Sequence, residues 1–337
     1  MSDTKNYSIS DLQAFMNRAL TASNISEENA AAVARALTKG EIDGHMGHGL
    51  SRIPSYTAQA KSGKIDGKTT PEASRPKSSM LAVNARSGFA YPAFELIYDE
   101  LPAIVRETGI GAAGVFNSNH FGVAGHHVEA LAKKGLVAMV VGNSPKCMAP
   151  WGGKVPLFGT NPIAFASPRR DDAPFVLDLA LTRVNRAGIV RAAKEGKPIP
   201  EGWALDSDGN PTTDANAALA GTMIPIGGAK GAGLAIMVEI LAAALTGAHF
   251  GFEATSFFET DGPSSNVGQY LIAIDPGAIG GPDGYFERIE TLLGMIESEP
   301  GVRLPGSRRF QNRAKAENEG IAVAATLVTE IEEILAP

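Results

Sequence analysis

The sequence predicts an α/β protein with a helical N-terminal segment, and two patterns carry this prediction. The stretch SISDLQAFMNRALTAS places apolar residues at helical intervals behind a Ser/Asp capping signature. SEENAAAVARALTKGEIDG repeats the pattern with Ser26 as the expected N-cap, so residues 8–44 are predicted to form two helices. From Met80 onward, short β-rich runs such as LAVNA and LVAMVVGN alternate with helical segments such as FELIYDELPAIVRETG.

The other segments are predicted in chain order from their composition. Residues 54–76 are punctuated by Pro and Gly and are expected to form a connection. The helix-like IVRAAKEG is followed by the turn-rich GWALDSDGNPTTD. MVEILAAALTG is predicted as a strongly apolar helix, LIAIDP as a buried strand and YFERIETLLGMIES as another helix. The C-terminal QNRAKAENEGIAVAATLVTEIEEILA mixes helix and strand signals.

Composition limits the possible partners and compartments. The 337-residue chain has a formal net charge of -6 and no Lys/Arg cluster, which argues against nucleic acid or an anionic membrane as the main partner. Its single cysteine, Cys147, excludes an internal disulfide. The N-terminal MSDTKNYSISDL does not match a secretory signal, and the longest apolar stretches are too short for a membrane span. A cytoplasmic protein is expected.

The first cluster of chemically useful residues is GHMGHGLSRIPSY, just past the second predicted helix. His48 lies between two glycines, and histidine is the usual proton donor or acceptor near neutral pH. Arg52 follows four residues later and is able to grip a carboxylate with its bidentate fork. The alternative is a helix-end histidine beside a solvated arginine.

Two further clusters have the form of anion-binding turns. In VFNSNHFGVAGHHVEAL a β-like run ends at His120 and glycines, and a helix starts near Ala124. In IPIGGAKGAGLAIMVE a glycine-rich loop with Lys230 leads into a helix. Free amide groups and the helix dipole favour a phosphate at such positions. Neither stretch is a GxGxxG fingerprint or a Walker A loop, and ordinary connections or close helix packing remain the alternatives.

A long apolar loop, NSPKCMAPWGGKVPLFGTNPIAFASP, forms the remaining cluster. Structured loops of this length are commonly functional, and Thr160 and Asn161 offer hydrogen bonds there. Cys147 has no nearby base and is expected to pack in the interior. The pair His126–His127 with Glu129 lacks HExxH spacing, so no metal is predicted. GxSxG elbows are also missing, which weakens a hydrolase interpretation.

These clusters, in this order, resemble the malate/L-lactate dehydrogenase family that is unrelated to Rossmann-type lactate dehydrogenases. The resemblance covers nearly the whole chain and rests on HGLSRIPSY, NHFGVAGHH, APWGGKVPLFGTNPIAFASP, GWALDSDGNPTTD, GGAKGAGLAIMVEILAAALTG and RLPGSRR. It implies a non-Rossmann α/β fold, a homodimer, and reduction of small 2-oxo or 2-imino carboxylates with NADH or NADPH. The sequence leaves open which of the two cofactors is used.

The resemblance also implies a role for particular residues. His48 would donate a proton to the substrate oxygen or nitrogen, Arg52 would hold the substrate carboxylate, and Thr160 would contact the substrate. Hydride would then reach C2 while the positioned acid supplies the proton. The implied cofactor-binding residues are His120, Phe121, Gly122, Val123, Ala124, Asp178, Leu179, Ala180, Lys230, Arg303, Arg308 and Arg309.

One branch of this family reduces the cyclic imines Δ1-piperideine-2-carboxylate and Δ1-pyrroline-2-carboxylate, and NSPKC and RLPGSRRFQNRA resemble that branch. The branch supports its histidine with a preceding serine and a distant aspartate, whereas this chain has Gly47 and Gly188 at those positions. Cyclic imine reduction is the favoured activity. Oxidation of malate- or lactate-like 2-hydroxy acids is the nearest alternative, and a non-catalytic cofactor-binding protein is a distant one.

The resemblance further implies a division of the chain. Residues 1–75 would form a helical N-terminal segment that carries the catalytic histidine and packs with the C-terminal segment 300–337. Residues 76–115 and 225–299 would form a central α/β domain for substrate and dimer contacts. Residues 116–224 would form the nicotinamide cofactor-binding domain.

Overall fold

The computed structural model describes residues 3–336, and its N-terminal layer is built on the two predicted helices. A short strand, β1 (Thr4–Tyr7), precedes α1 (Ile9–Thr21) and α2 (Glu27–Ile42). The side chains of Ser8 and Ser26 accept hydrogen bonds from first-turn backbone amides, which have no partner within the helix. The predicted helix pair and the Ser26 cap are therefore confirmed.

Two single-turn helices, Met46–His48 and Leu50–Arg52, follow α2 and lead into α3 (Ile53–Ser62). Pro54 stands in the first turn of α3, where its missing N–H costs no hydrogen bond. The prediction of a plain connection over residues 54–76 is wrong, because proline suits the start of a helix as well as a loop. The segment contains most of α3 and most of strand β2 (Glu72–Lys77).

A seven-stranded mixed sheet forms the centre of the molecule, in the spatial order β2-β3-β4-β11-β5-β6-β7. Only the β3–β4 pair within this sheet is parallel. The α/β prediction is confirmed, and the sheet differs from the parallel sheet of a Rossmann fold. The strands after β2 are β3 (Met80–Asn84), β4 (Ile110–Ser118), β5 (Val137–Gly142), β6 (Ile163–Ser167), β7 (Phe175–Leu179) and β11 (Val267–Ile274).

Two helices pack on this sheet in one apolar core. α4 (Ala90–Thr108) contacts β4, and α5 (Ala124–Ala132) contacts β5, β6 and β7. Their buried residues, among them Phe94 and Val128, join those of the strands. Because β4 ends at Ser118 and α5 begins at Ala124, the turn between them carries His120 at the edge of the core.

The chain between β7 and β11 forms a smaller unit and a long apolar helix. Helices α6 (Arg186–Lys194) and α7 (Ala215–Ala220) accompany a three-stranded sheet in the order β10-β8-β9. Helix α8 (Ala229–Glu239) continues into one wider π-helical turn, Ile240–Ala244. The small strands are β8 (Ala204–Leu205), β9 (Pro211–Thr212) and β10 (Thr222–Met223).

The C-terminal elements return to the N-terminal layer. They are α9 (Pro282–Glu297), α10 (Ser307–Glu319), β12 (Ile321–Ala324) and α11 (Ala325–Leu335). β12 pairs antiparallel with β1, and α11 contributes Val328 and Ile331 to the apolar core of α1 and α2. The residue boundaries and roles of the three predicted domains stay a prediction. Over residues 3–336, none of the helices has the length and apolarity that crossing a bilayer requires.

Candidate active site

The His48–Arg52 segment is held against the C-terminal end of α2 by backbone contacts. The His48 amide donates to the His45 carbonyl at 2.7 Å, and the Leu50 amide donates to the Glu41 carboxylate at 2.8 Å. A Cβ on Gly49 would lie only 2.0 Å from that carboxylate, so this close approach requires glycine. The segment is thereby fixed although it is too short for a regular helix.

The turn after β4 brings a second imidazole to the first. The rings of His48 and His120 stack with their centroids 5.2 Å apart and their planes 25° from parallel. Nδ1 of His120 lies 2.5 Å from the hydroxyl of Tyr56 on α3, and that hydroxyl lies 3.0 Å from the hydroxyl of Tyr91 on α4. Two residues predicted from separate motifs, His48 and His120, are therefore neighbours.

Both imidazoles are neutral near pH 7. Burial, together with the positive charge of Arg52 and the neighbouring His45, lowers the pKa of His48 from 6.5 to about 3. Burial and the charge of Arg52 also hold the pKa of His120 well below its ordinary value. A negative charge placed beside Arg52 would offset part of this effect, because opposite charges favour the protonated imidazole.

Arg52 lies beside the imidazole pair with part of its guanidinium available. Its Nε donates to the Gly47 carbonyl at 2.7 Å, and its guanidinium carbon lies 5.0 Å from the centroid of the Phe258 ring. Over the part of the chain that the structure describes, no carboxylate pairs with this side chain. An unneutralised guanidinium of this kind is suited to binding a carboxylate from a ligand.

Sequence reasoning missed the loop of residues 256–260 that covers these groups. The ring of Phe257 packs edge-on against His120 at 5.1 Å, next to the contact between Phe258 and Arg52. α3 anchors the loop, because Gln59 Nε2 donates to the Phe257 carbonyl at 2.8 Å. Just after α3, Lys64 Nζ donates to the Ser256 carbonyl at 2.7 Å. The adjacent aromatic residues in SFFET were the available signal.

The turn from His120 to Val123 leads into the N-terminus of α5, next to two predicted cofactor-binding residues. The Gly125 amide donates to the Asp178 carboxylate at 2.8 Å, and Nη2 of Arg309 lies 3.9 Å from the same oxygen. Phe121 has a different position, since its ring is buried and stacks on Phe94 and His127. Its backbone faces the turn, so its side chain serves the core.

Arg309 is 5% exposed and lies beside a buried ionic cluster. Arg313 donates to both Asp43 and Glu129 at 2.6–2.8 Å, whereas Arg309 lies 3.5 Å and 3.7 Å from these two carboxylates. Nε and Nη1 of Arg309 have no hydrogen-bond partner within residues 3–336. Both nitrogens nevertheless face these two carboxylates at ion-pair distance, so the charge of Arg309 is balanced within the buried ionic cluster.

The other predicted residues lie either near Thr160 or at the surface. The Thr160 amide donates to Ser144 Oγ at 3.0 Å, and its carbonyl accepts from Leu181, directly after Leu179 and Ala180. Within the described chain, no hydrogen bond or ion pair joins the exposed Lys230, Arg303 or Arg308 to the His48 segment. Cys147 is buried with its thiol pKa raised to about 12, which confirms a packing role.

The arrangement is suited to a reaction that binds a small carboxylate and moves a proton. Arg52 supplies the positive charge, and the imidazole pair supplies ring nitrogens next to it. Over residues 3–336 the structure contains no group of three or more His, Cys, Asp or Glu side chains placed to hold a metal ion.

Comparison with known proteins identifies relatives over nearly the whole chain. The family profile described as malate/L-lactate dehydrogenase matches residues 7–332. A (2R)-3-sulfolactate dehydrogenase (NADP(+)) of Chromohalobacter salexigens is 49% identical over 315 residues, which cover 93% of each chain. A Δ1-pyrroline-2-carboxylate/Δ1-piperideine-2-carboxylate reductase of Pseudomonas putida is 38% identical over 96% of this chain and 95% of the relative.

Solved structures share the same architecture. The Δ1-piperideine-2-carboxylate reductase of Pseudomonas syringae superposes with a TM-score of 0.92 at 36% identity, covering 98% of this chain and 100% of the other. The sulfolactate dehydrogenase of Methanocaldococcus jannaschii gives a TM-score of 0.90 at 29% identity, covering 98% and 96% of the two chains.

Proposed function

Because this chain belongs to the malate/L-lactate dehydrogenase family and is an NAD(P)-dependent oxidoreductase of small 2-oxo or 2-imino acids, we propose that its substrate is a 2-oxo acid. The 3-sulfolactate/3-sulfopyruvate couple is the first candidate, following the relative that is 49% identical. The observation that carries the proposal is the unneutralised Arg52 guanidinium beside the stacked His48 and His120 rings. Arg52 would bind the substrate carboxylate, and His48 next to it would donate the proton.

The choice of a carbonyl over an imine rests on the surroundings of His48. The imine reductases that this chain resembles support their histidine with a serine and an aspartate, and neither is present here. Gly47 has no side chain, and a Cβ built on it would meet nothing within 4 Å. Gly188 lies in α6 beside Asn185 and Trp203.

In the proposed reaction the chain's own residues bind, orient and protonate the substrate. Arg52 holds the carboxylate and so fixes which face of C2 is presented. His48 donates a proton to the carbonyl oxygen as C2 is reduced, so that negative charge does not accumulate on that oxygen. The loop of Phe257 and Phe258 packs against His120 and Arg52. The bound nicotinamide cofactor supplies the hydride.

The residues that would hold the cofactor fit an anionic dinucleotide. The turn after β4 leads into the N-terminus of α5, where amide groups and the helix dipole favour an anion. Arg309, whose Nη2 lies 3.9 Å from Asp178, is the proposed cationic neighbour of this turn. We propose that His120, Gly122, Val123 and Ala124 line this site with the backbone of Phe121. Asp178, Leu179, Ala180, Lys230, Arg303 and Arg308 complete the proposed cofactor set, and Thr160 is proposed to contact the substrate.

We also propose a homodimer in the cytoplasm, with α8 at its interface. α8 and the turn after it are mostly apolar apart from the exposed Lys230 and the buried Glu239, and Leu234, Ile236, Ile240 and Leu245 are exposed. A helix of this kind is normally buried on every face, and a second copy of this chain would cover the exposed one. Light scattering should give twice the monomer mass, and Ile240→Glu should shift it towards the monomer. An unchanged mass for this variant would argue against this face.

A substrate panel tests the proposed activity. The purified protein should be assayed with NADPH and with NADH against 3-sulfopyruvate, oxaloacetate, pyruvate and both cyclic imines. We expect the highest kcat/KM for a 2-oxo acid, with 3-sulfopyruvate ahead of pyruvate. Cyclic imines turned over faster than every 2-oxo acid would overturn the proposal.

Cyclic imine reduction is the second candidate. The observation in its favour is the set of Δ1-pyrroline-2-carboxylate reductases that are 36–41% identical to this chain over more than 90% of its length. If that activity dominates, the same panel should show Δ1-piperideine-2-carboxylate or Δ1-pyrroline-2-carboxylate as the preferred substrate.

A further inference from the structure

A surface cavity borders Tyr91, the tyrosine whose hydroxyl contacts that of Tyr56. It encloses about 160 Å³ between α2, α4 and α5. Tyr91, Tyr98, Ala36 and Ala130 line its walls, and Arg35, an exposed residue, also borders it. A site needs roughly 30 Å³ for each water molecule at liquid density, so several water molecules fit.

From this cavity a chain of hydroxyl and ring-nitrogen contacts leads to the active site. Tyr91 lies on the cavity wall, and its hydroxyl is 3.0 Å from that of Tyr56. Tyr56 is in turn 2.5 Å from Nδ1 of His120, whose ring stacks on His48. Both tyrosines are at most 5% exposed, so the hydroxyls contact each other and not bulk water.

Gly122 leaves room for the Tyr91 hydroxyl in this row of contacts. A Cβ at that position would lie 2.8 Å from the Tyr91 hydroxyl, and the backbone there has a φ of +72°. Glycine is therefore required for the turn after His120 to pass this close to Tyr91. The turn that follows His120 therefore packs directly against the Tyr91 hydroxyl.

We propose that Tyr91, Tyr56 and His120 form a relay that resupplies protons from the cavity water to His48. This relay rests on the proposed function, in which His48 protonates the substrate. It takes the place of the serine and aspartate that are missing at Gly47 and Gly188. Tyr91 and Tyr56 are positioning and relay residues, because they act through His120.

The transfer balances as a series of proton shifts. In one concerted transfer, His48 gives its proton to the substrate oxygen and receives another from Nε2–H of His120 through a bridging water, so neither ring becomes an imidazolate. The ring centroids lie 5.2 Å apart, and the bridging water would lie at the ring edges, because N–H groups and lone pairs lie in the ring planes. In the same transfer the Tyr56 hydroxyl proton moves to Nδ1 of His120, the Tyr91 proton moves to Tyr56, and cavity water protonates Tyr91, with the resulting hydroxide neutralised by bulk solvent. No electrons move along the relay, and one proton passes from solvent to product.

Neutral groups are what such a relay requires. Burial raises the pKa of Tyr56 and Tyr91 above the ordinary value, so both keep their hydroxyl protons near pH 7. The depressed pKa of His120 leaves its ring neutral, with one nitrogen free to accept a proton while the other gives one up. A relay of neutral groups needs no buried charge to persist.

Isosteric variants of the tyrosines test the relay. Tyr56→Phe and Tyr91→Phe should each lower kcat by about 10- to 100-fold, below the roughly 10²–10⁴ that a general acid supplies, with KM little changed. Their solvent deuterium isotope effect on kcat should rise, because proton delivery becomes rate-limiting. The primary isotope effect from deuterated nicotinamide should fall in the same variants.

Tyr98→Phe is the matched control. Tyr98 borders the same cavity and its hydroxyl lies 2.6 Å from Nδ1 of His127, yet His127 leads to the Phe121 carbonyl and not to the site. We expect wild-type kcat and isotope effects for this variant. Ala130→Leu, which fills the cavity without altering any relay residue, should lower kcat in the same direction as Tyr91→Phe.

The outcomes separate the relay from the proposed function. Wild-type kcat and isotope effects in both Tyr56→Phe and Tyr91→Phe, with His48→Ala inactive, would overturn the relay alone. Losses in these variants with unchanged isotope effects would assign the tyrosines a structural role and overturn it equally. Full activity of His48→Ala would instead remove the proposed proton donor. Each assay uses the substrate with the highest kcat/KM on the panel.

Discussion

Two histidine–tyrosine pairs lie within one region of the molecule and have nearly the same local chemistry. In each pair a tyrosine hydroxyl lies 2.5–2.6 Å from Nδ1, and burial depresses the histidine pKa. They differ at the other ring nitrogen. His127 Nε2 donates to the Phe121 carbonyl at 2.7 Å, whereas the His120 ring stacks on His48.

This difference shows that a depressed histidine pKa does not by itself mark a catalytic residue. The ring of His127 stacks 3.7 Å from that of Phe94, so both its nitrogens and its faces are used by the core. His120 lies beside Arg52 and a covering loop, where a ligand can reach it. Whether such a histidine can take part in a reaction therefore depends on what its Nε2 faces. The His127–Tyr98 pair, with Nε2 bonded to a backbone carbonyl, contributes to stability.

The largest expected effect is at His48, whose ring stacks on the His120 pair and is absent from the His127 pair. His48→Ala should lower kcat by about 10²–10⁴, because the general acid is lost while the carboxylate anchor remains. Steady-state kinetics and NADPH binding by fluorescence check this, and the affinity for NADPH should be nearly unchanged. An active His48→Ala protein would move the acid role to another group.

Arg52→Leu should chiefly weaken substrate binding. Loss of the guanidinium leaves the substrate carboxylate without its partner, which costs about 2–4 kcal/mol, or roughly 30- to 1000-fold in KM. The change should be measured with the preferred substrate, together with the binding of NADPH as a control for folding. A normal KM in this variant would mean that the carboxylate is held elsewhere.

The pair at His127 predicts a pH dependence of stability. The folded-state pKa is about 3 against an ordinary value of 6.5, so unfolding takes up a proton below pH 6.5. Stability is therefore lost as the pH falls from 6.5 towards 3, by up to about 1.4 kcal/mol per pH unit from this residue. Urea titrations at pH 6 and 5 should show a shallower dependence in His127→Gln than in the wild type. Equal slopes would refute the buried neutral state.

The smallest effect concerns the loop over the site. Phe258→Leu removes the ring that faces the Arg52 guanidinium, an interaction worth about 0.5–1 kcal/mol when partly exposed. We expect a rise in KM of about two- to fivefold with kcat nearly unchanged. Phe252→Leu, at an exposed aromatic residue of the same segment, is the control and should match the wild type.

Local patterns predicted the parts of the fold that depend on local chemistry. The capped helices of residues 8–44 follow from their side chains and the helical period, and the α/β alternation follows from composition. The antiparallel insertion of β11 between β4 and β5 was not predictable, because strand order depends on contacts between distant segments. The prediction of a loop at Pro54 was wrong, because proline suits both a loop and the first turn of a helix.

The site shows the same limit. Motifs singled out His48, Arg52 and His120 separately, and only the packing of α3 against the turn after β4 places the two rings together. Tyr91 was not predicted, since nothing near it in the sequence indicates chemistry, and the adjacent aromatic residues of the Phe257–Phe258 loop were an overlooked signal. Conversely, Phe121 belongs to a recognisable motif, yet its ring serves the core.

The pairing of β1 with β12 has a consequence for synthesis of the protein. Residues 4–7 find their partners only in residues 321–324, and the helices below His48 are sealed by α11. During synthesis the apolar faces of α1 and α2 must therefore stay uncovered until β12 and α11 have emerged from the ribosome. The segment that carries His48 thus reaches its final packing late, and chaperones have a long opportunity to bind these helices before then.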